Sequence, residues 1–542
     1  MSDITNSIAP SVVAKDHALW ALLEAAAATR PHEAALIHGA QRTTCAQLLA
    51  RSAALAAGMH ARGIGHGDRV AIWLPNVALW VALLFACARI GAPVVALNTR
   101  FKSAELGDIL GRSGARMLVY WPGFRGIDFT GILQGVEPAC LRDLRHVVAY
   151  GESEDEGGRL PQTVCGLPVI ASGLLAQDRG AAPAAPAAGA ADDGCVMFTT
   201  SGTTSKPKLV LHTQRSIARH ALDTARALGY HVPGAMIKAV TPLCGVSGFG
   251  MPLAAIAAGA PCVLAPAFDA RASLDQIRLH RVTHSHANHE IIRRWLDAIN
   301  QHDDVSSLQW VNCGSGIAGV YERAAKAGMP VRSIYGSSEL QARFSRQAPD
   351  GAPERRLEAG GFPLSNEARV RAADSETGRV LAHGEKGEIQ VRAPSRMQAY
   401  FGDAAATARA ITQDGYVRTG DCGYTRADGS FVHEARIDDV LKLSGFMVSP
   451  AEIEAMLLSC AGVTQCQVVG ASSERGLRAV AFVRMEGGFD EAALLRACGE
   501  RLARYKVPAR IVRLDAFPTT VGANAPKIQK NQLRELARTL SL

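Results

Sequence analysis

Asp68-Arg69-Val70-Ala71-Ile72-Trp73-Leu74-Pro75-Asn76 is a short apolar, partly β-branched run closed by a Pro-Asn turn, and together with the next twenty residues it decides the fold. Residues 77–89, VALWVALLFACAR, have the length and composition of a helix, and Gly91-Ala92-Pro93 ends it before a second β-branched run, Val94-Val95-Ala96-Leu97. Strand, helix, strand in that order is the grammar of a parallel sheet. It returns at residues 196–198 with a helix after Thr213, and at 261–264 with a helix after Ser273. The expected class is α/β, with a large N-terminal domain of parallel-rich sheets flanked by helices.

Working outward, residues 180–191, GAAPAAPAAGAA, cannot build a core and read as an exposed connection. After Gly384 the pattern turns to short β-rich runs such as Gly387-Glu388-Ile389-Gln390-Val391-Arg392. A second compact unit starts near Arg436, with helices expected at 450–458 and 491–505, so the domains are set at 1–435 and 436–542.

The whole chain has 542 residues, 48% of them hydrophobic and 20% charged, which excludes general disorder and implies more than one folding unit. Its 58 Lys and Arg against 50 Asp and Glu leave a formal +8 spread along the chain, suited to small polyanions. Only 6% of residues are aromatic and no basic stretch is interleaved with Tyr or Phe, which argues against nucleic acid as a partner. Twelve scattered cysteines without a CxxC pair point to free thiols in a reducing compartment. The first twenty residues lack the build of a signal peptide and no apolar run is long enough to span a membrane, so the expected location is cytoplasmic.

The richest chemical signal is Phe198-Thr199-Thr200-Ser201-Gly202-Thr203-Thr204-Ser205-Lys206-Pro207-Lys208. Hydroxyls and backbone N–H groups in such a turn can wrap phosphate oxygens while Lys206 and Lys208 supply charge. No Gly-Lys-Ser/Thr closes it, so it is not a Walker loop. Composition alone leaves a plain solvated Ser/Thr loop equally open.

This segment resembles the phosphate-binding signature of the adenylate-forming superfamily, which holds acyl-CoA synthetases, nonribosomal adenylation domains and luciferases. Further motifs occur in that family's order: Tyr335-Gly336-Ser337-Ser338-Glu339, Tyr416-Val417-Arg418-Thr419-Gly420-Asp421, Arg436-Ile437-Asp438-Asp439 with Lys442 and Gly445, and Pro526-Lys527-Ile528-Gln529-Lys530. The resemblance covers nearly the whole chain. It implies a β-barrel-like subdomain beside the parallel sheets and a small mobile α+β C-terminal domain.

It further implies ATP-dependent activation of a carboxylic acid to an acyl-adenylate with release of pyrophosphate, then thioester formation with coenzyme A. ATP, Mg²⁺ and coenzyme A are the implied cofactor and co-substrates, and a fatty, alicyclic or aryl acid the implied substrate. By resemblance Thr200, Ser201, Gly202, Thr203, Thr204, Lys206 and Lys208 hold phosphates, and Glu339 holds the Mg²⁺. Gly314-Ser315-Gly316 and Tyr335 to Ser338 pass beside the adenine, while Asp421, assisted by Arg436, accepts from the ribose hydroxyls. Lys527 bridges carboxylate and α-phosphate, Asp438 is the hinge, Lys442 faces the site after the domain swings, and Gly445 lines the thiol tunnel. Thr241 to Met251 matches the acyl-pocket segment, with Gly245 where many members have His and with no Asp to hold an amino group, which favours an uncharged acyl tail. Thr283-His284-Ser285-His286-Ala287-Asn288-His289-Glu290 resembles the family's strand and helix start that border that pocket, so its histidines are expected to be structural or pocket-lining rather than zinc ligands, with His286 and Asn288 the candidates for polar contacts to a substrate.

Three positions depart from the family's glycines: Ser205, Leu209 and Pro526. They leave open a catalytically silent ATP-binding member, and within the family a ligase loading a separate carrier protein is the other alternative. A homodimer is also left open.

Overall fold

The computed structural model describes residues 18–151, 160–177, 189–200, 207–314, 318–348, 351, 353–443, 446–448, 450–473, 476–502, 504–520 and 527–540. Ser201, Gly202, Thr203, Thr204, Ser205, Lys206, Ser315, Gly316, Gly445 and Pro526 lie outside the described residues, as do the side chains of Asp438, Lys442 and Lys527. The backbone forms two compact units, Met1–Arg369 with Arg392–Val417, and Val370–Val391 with Arg418–Leu542.

In the first unit the opening stretch folds as strand Arg69–Trp73, helix Ala78–Arg89 and strand Val94–Ala96. The strands are parallel, with Val70 opposite Val94 and Ile72 opposite Ala96. Buried residues run all round the helix from Leu79 to Ala88, because it lies between its sheet and further helices. Among the described residues the sheet has nine strands, in the order Ala399–Tyr400, Lys208–Thr213, Gly194–Thr200, Val94–Ala96, Arg69–Trp73, Ala115–Tyr120, His146–Ala149, Leu167–Ala171, Thr163–Val164.

The second large sheet runs Val331–Ser333, Trp310–Cys313, His284–Ala287, Ile237–Ala239, Cys262–Leu264, Ala34–His38, Gln41–Thr44. Its strands from Ala34–His38 through Val331–Ser333 are mutually parallel. Parallel strands put their C-terminal ends on one edge, where α/β sheets bind ligands. Thr241 to Gly245, Asn288, Gly314 and Tyr335 all come directly after that edge. Helix Val246–Ala258 joins the two layers: Phe249 meets Trp80 at 5.7 Å and Phe198 at 5.0 Å between ring centroids, both edge to face.

The strand expected at 196–198 and the helix expected after Thr213 are present as Gly194–Thr200 and Gln214–Ala227, and between them an additional strand, Lys208–Thr213, pairs antiparallel with the first. Lys208 and His212 break the apolar run of that strand, and the buried trio Leu209, Val210 and the partly covered Leu211 is what makes it β. The helix expected over 491–505 stops at Arg501, and a 3-10 turn takes Arg504–Lys506.

The second unit contains the neighbouring strands Phe431–Arg436, Val417–Thr425, Gly387–Arg392 and Arg369–Ala373, the region expected to be barrel-like. Beyond them a hairpin pairs Leu441–Leu443 with Phe446–Val448. A three-stranded sheet, Val463–Ser473, Gly476–Met485 and Arg510–Arg513, packs against helices Pro450–Leu458, Glu491–Arg501 and Lys530–Arg538. Compactness thus groups residues 418–435 with the second unit, whereas motif order counts them before Arg436.

Candidate active site

The hairpin of Gly194–Thr200 and Lys208–Thr213 forms because two apolar runs, Cys195 to Phe198 and Leu209 to Val210, are both buried in the core. Thr200 and Lys208 face each other at its open end. Lys208 Nζ lies 4.3 Å from the ring centroid of Tyr400, over its face. The Tyr400 hydroxyl donates to Glu339 Oε1 at 2.9 Å, and the Met397 N–H donates to the Glu339 carbonyl at 2.7 Å. The structure therefore brings Lys208, expected to hold phosphate, and Glu339, expected to hold the metal, onto one tyrosine. A carboxylate offers about four acceptor directions, so one bond from Tyr400 leaves oxygen for a hard cation that takes few protein ligands. Glu339 fits Mg²⁺ in that respect.

His212, on the same hairpin strand, bonds through Nε2 to the Ser338 carbonyl at 2.8 Å, so Nε2 carries the proton. Burial pushes this imidazole down to about 4, and it packs as a neutral strut beneath the Glu339 segment.

That segment is a closed loop. The Phe344 N–H returns to the Tyr335 carbonyl at 2.9 Å, and the Ala342 N–H to the Ser337 carbonyl at 2.8 Å. A Cβ on Gly336 would overlap the Ala342 carbonyl, so glycine is required there. Gln341 and Ala342 sit in left-handed backbone at φ +60° and +61°. The Gln341 amide holds the strained turn by donating to the Ser216 and Ser395 carbonyls, each at 3.0 Å. Tyr335 is buried edge to face against Phe344. Gly314 follows the strand Trp310–Cys313, its carbonyl accepting from the Tyr321 hydroxyl at 3.3 Å, and among the described residues nothing lies within 4 Å of where a side chain would begin.

In the acyl-pocket segment, Gly245 is the N-cap of helix Val246–Ala258. Asn288 caps the helix His289–Ala298, its Oδ1 accepting from the Ile291 N–H at 2.9 Å. His286 is buried at the end of its strand and is pushed down to about 3 by burial and then by the Arg343 charge; its Nδ1 has no partner among the described residues. His284 lies 2.7 Å from the Thr283 hydroxyl. Among the described residues no three His, Cys, Asp or Glu side chains converge as a metal site would need. Sequence reading passed over Arg343, which lies against helix Val246–Ala258 with Nη1 donating to the Ser247 carbonyl at 2.7 Å. Its only signal was a basic residue inside the otherwise uncharged run Leu340 to Phe344.

In the second unit, Asp421 stands opposite Arg436 across an antiparallel pair, and Arg436 Nη1 reaches Asp421 Oδ1 at 3.0 Å and the Thr419 carbonyl at 2.8 Å. Gly420 takes φ +66°, which turns its N–H to Glu388 Oε1 at 3.2 Å. Glu388, also unremarked in the sequence, is buried and anchors the Thr419-Gly420-Asp421 turn. Asp438 lies in the 3-10 turn Ile437–Asp439, Lys442 in the strand Leu441–Leu443, and Lys527 in a short strand with its Cα opposite Thr520. Asp439 ties the turn to the last helix, taking Lys530 Nζ at 3.2 Å and Arg534 Nη2 at 2.7 Å.

Residues 23–401 match the family model for AMP-binding enzymes, and residues 452–523 match the AMP-binding enzyme C-terminal domain. The chain belongs to the AMP-binding enzyme family. It is 32% identical over 516 residues to 3-[(3aS,4S,7aS)-7a-methyl-1,5-dioxo-octahydro-1H-inden-4-yl]propanoyl:CoA ligase of Mycobacterium tuberculosis (strain ATCC 25618 / H37Rv), covering 93% of this chain and 96% of that one. To indoleacetate–CoA ligase of Aromatoleum aromaticum (strain DSM 19018 / LMG 30748 / EbN1) it is 31% identical, covering 91% and 92%. Among solved structures, the O-succinylbenzoate coenzyme A synthetase (MenE) of Bacillus subtilis in complex with ATP and magnesium ion superposes with a TM-score of 0.76 at 27% identity, covering 96% of this chain and 99% of that chain. Among the described residues no helix is long and apolar enough to cross a membrane.

Proposed function

We propose that the chain is an AMP-forming acid–thiol ligase, converting a carboxylic acid to its acyl-adenylate and then to the coenzyme A thioester. The observation that carries this reading is the row Lys208, Tyr400, Glu339, which sets a phosphate-type cation beside a metal-type carboxylate. A carboxylate is a poor electrophile, and attack at the α-phosphorus of ATP needs mainly positioning and charge neutralisation. Lys208, with Thr200 and residues 201–206, holds the β- and γ-phosphates. Bound at Glu339, Mg²⁺ supplies charge neutralisation on the phosphates.

Asp421, already oriented by Arg436, accepts from the ribose hydroxyls, and Gly314 to Gly316 with Tyr335 to Ser338 pass beside the adenine. Lys527 bridges the acid and the α-phosphate. The domain from 436 to 542 then turns about Asp438, bringing Lys442 and the Gly445 loop to the thiol. Ring-bearing acids are the first substrates to consider because two named relatives act on such acids. The acyl chain enters past Gly245, His286 and Asn288. A cytoplasmic location accords with twelve unpaired cysteines. A homodimer is a separate proposal that light scattering decides.

The test is pyrophosphate release with ATP, Mg²⁺ and a panel of fatty, alicyclic and aryl acids, with and without coenzyme A, beside Lys527→Ala. Acid-dependent release that disappears in the variant, with coenzyme A-dependent turnover, is the expected result. Acid-dependent release without thioester on free coenzyme A would move the reading to a carrier-protein ligase. Silence across the panel with ATP still bound would leave a non-catalytic family member.

A further inference from the structure

We propose that Arg343 is the anchor for a second carboxylate on the substrate, so that the acid activated here is a dicarboxylic acid; this deepens the acid-activating reading above and rests on it. The uncharged tail expected from the lack of an Asp in the acyl segment is thereby replaced by an anionic one.

The Arg343 side chain is among the largest in the protein to be fully enclosed, at 1% exposure. Nη1 is satisfied by the Ser247 carbonyl. Nε and Nη2 have no acceptor among the described residues. These two N–H groups form one edge of the guanidinium, the side-on fork whose spacing matches the two oxygens of a carboxylate.

Among the described residues the surroundings give the charge nothing to pair with. His220 and His286, pushed down to about 3 by burial first and Arg343 next, are neutral at pH 7. Tyr230 and Cys262, each pushed up to about 12, are neutral as well. No carboxylate is among the described groups that act on the guanidinium. A buried cation without a counter-ion opposes folding, and a ligand carboxylate on this edge supplies the missing partner.

Its place in the fold says which ligand. Nη2 lies against Gly250, where a Cβ would fall inside contact distance, so the first turns of helix Val246–Ala258 make room for the guanidinium. The positive end of that helix adds to the field. His286, whose Nδ1 also has no partner among the described residues, comes from the strand expected to border the acyl pocket. Arg343 also shares the closed 335–344 loop with Glu339. One loop thus carries the metal-type carboxylate of the reacting end and the fork for the far end.

The experiment compares kcat/KM for straight-chain and ring-bearing dicarboxylic acids, each beside its monomethyl ester and the matching oxo acid, in wild type, R343M and R343K. At least one diacid is expected to exceed its monoester about 100-fold, because a site built to hydrogen-bond a group rejects the analogue lacking it. R343M collapses that ratio towards one, and R343K, which keeps the charge without the fork, falls between; R343K also serves should R343M not fold. Equal use of diacid and monoester, preference for the oxo acid over the diacid, or an R343M variant slowed equally on both overturns the proposal. Should no acid support pyrophosphate release, the activation reading fails, and the anchor is still read by thermal shift. A diacid that raises the Tm of wild type but not of R343M supports it; no such charge-dependent shift overturns it.

Discussion

Tyr400 carries two duties with one side chain, its ring face under Lys208 and its hydroxyl on Glu339. Tyr400→Phe keeps the ring and removes the hydrogen bond to a charged acceptor, an interaction of about 1.5–3 kcal/mol. The expected outcome is a loss of about tenfold in kcat/KM with a raised Mg²⁺ requirement, measured by pyrophosphate release across a magnesium titration. An unchanged magnesium dependence would remove Tyr400 from the orientation of Glu339. At this scale the sequence made Glu339, Asp421 and Arg436 legible because each sits in a motif with fixed neighbours. Glu388, His212 and Arg343 were not, since each acts on a partner far away in the chain, Gly420, Ser338 and Ser247 respectively.

Among the elements, the 335–344 loop depends on a missing side chain. Gly336→Ala drives a methyl into the Ala342 carbonyl and is expected to cost about 1–3 kcal/mol, read by chemical denaturation, with acid-dependent activity falling as Glu339 is displaced. Full activity and stability in that variant would contradict the rigid-loop account. The 3-10 turn Ile437–Asp439 supports a second prediction. Asp438→Pro fixes φ at the proposed hinge, so pyrophosphate exchange should stay within about threefold while thioester formation falls more than about tenfold. Equal loss of both steps would sink the hinge assignment. The unit over residues 69–97 was readable because its punctuation is local, Pro75-Asn76 before the helix and Gly91-Ala92-Pro93 after it. The strand Lys208–Thr213 was not, because its lysine and histidine look like loop residues until the antiparallel partner is known.

For the whole molecule, four buried histidines set the response to acid. Burial pushes His212 and His284 to about 4, and His220 and His286 to about 3. An unfolded histidine titrates near 6.5, so below that pH the unfolded chain binds more protons than the folded one and stability falls. Above about pH 7 the effect vanishes. At pH 5 each histidine costs about 2 kcal/mol, and the loss deepens as pH falls towards the folded values. Urea midpoints of the intact protein at pH 7.5 and pH 5.0 test this, with a clear drop expected and an unchanged midpoint counting against neutral burial. The α/β layering was legible at this scale from strand–helix–strand order, whereas the second unit's assembly from 370–391 and residues beyond 418 was not, because two separated stretches must meet.

The nine-stranded sheet has a lasting effect on how the protein comes into being. Its early strands, beginning with Arg69–Trp73, emerge first from the ribosome, yet its edge is covered only when Ala399–Tyr400 pairs with Lys208–Thr213. Until then the outer backbone of Lys208–Thr213, flanked by Leu209, Val210 and Leu211, is a template for any passing strand. A nascent chain halted short of residue 399 leaves that edge open to such pairing, and a two-residue strand closes it while completing the seat of Glu339.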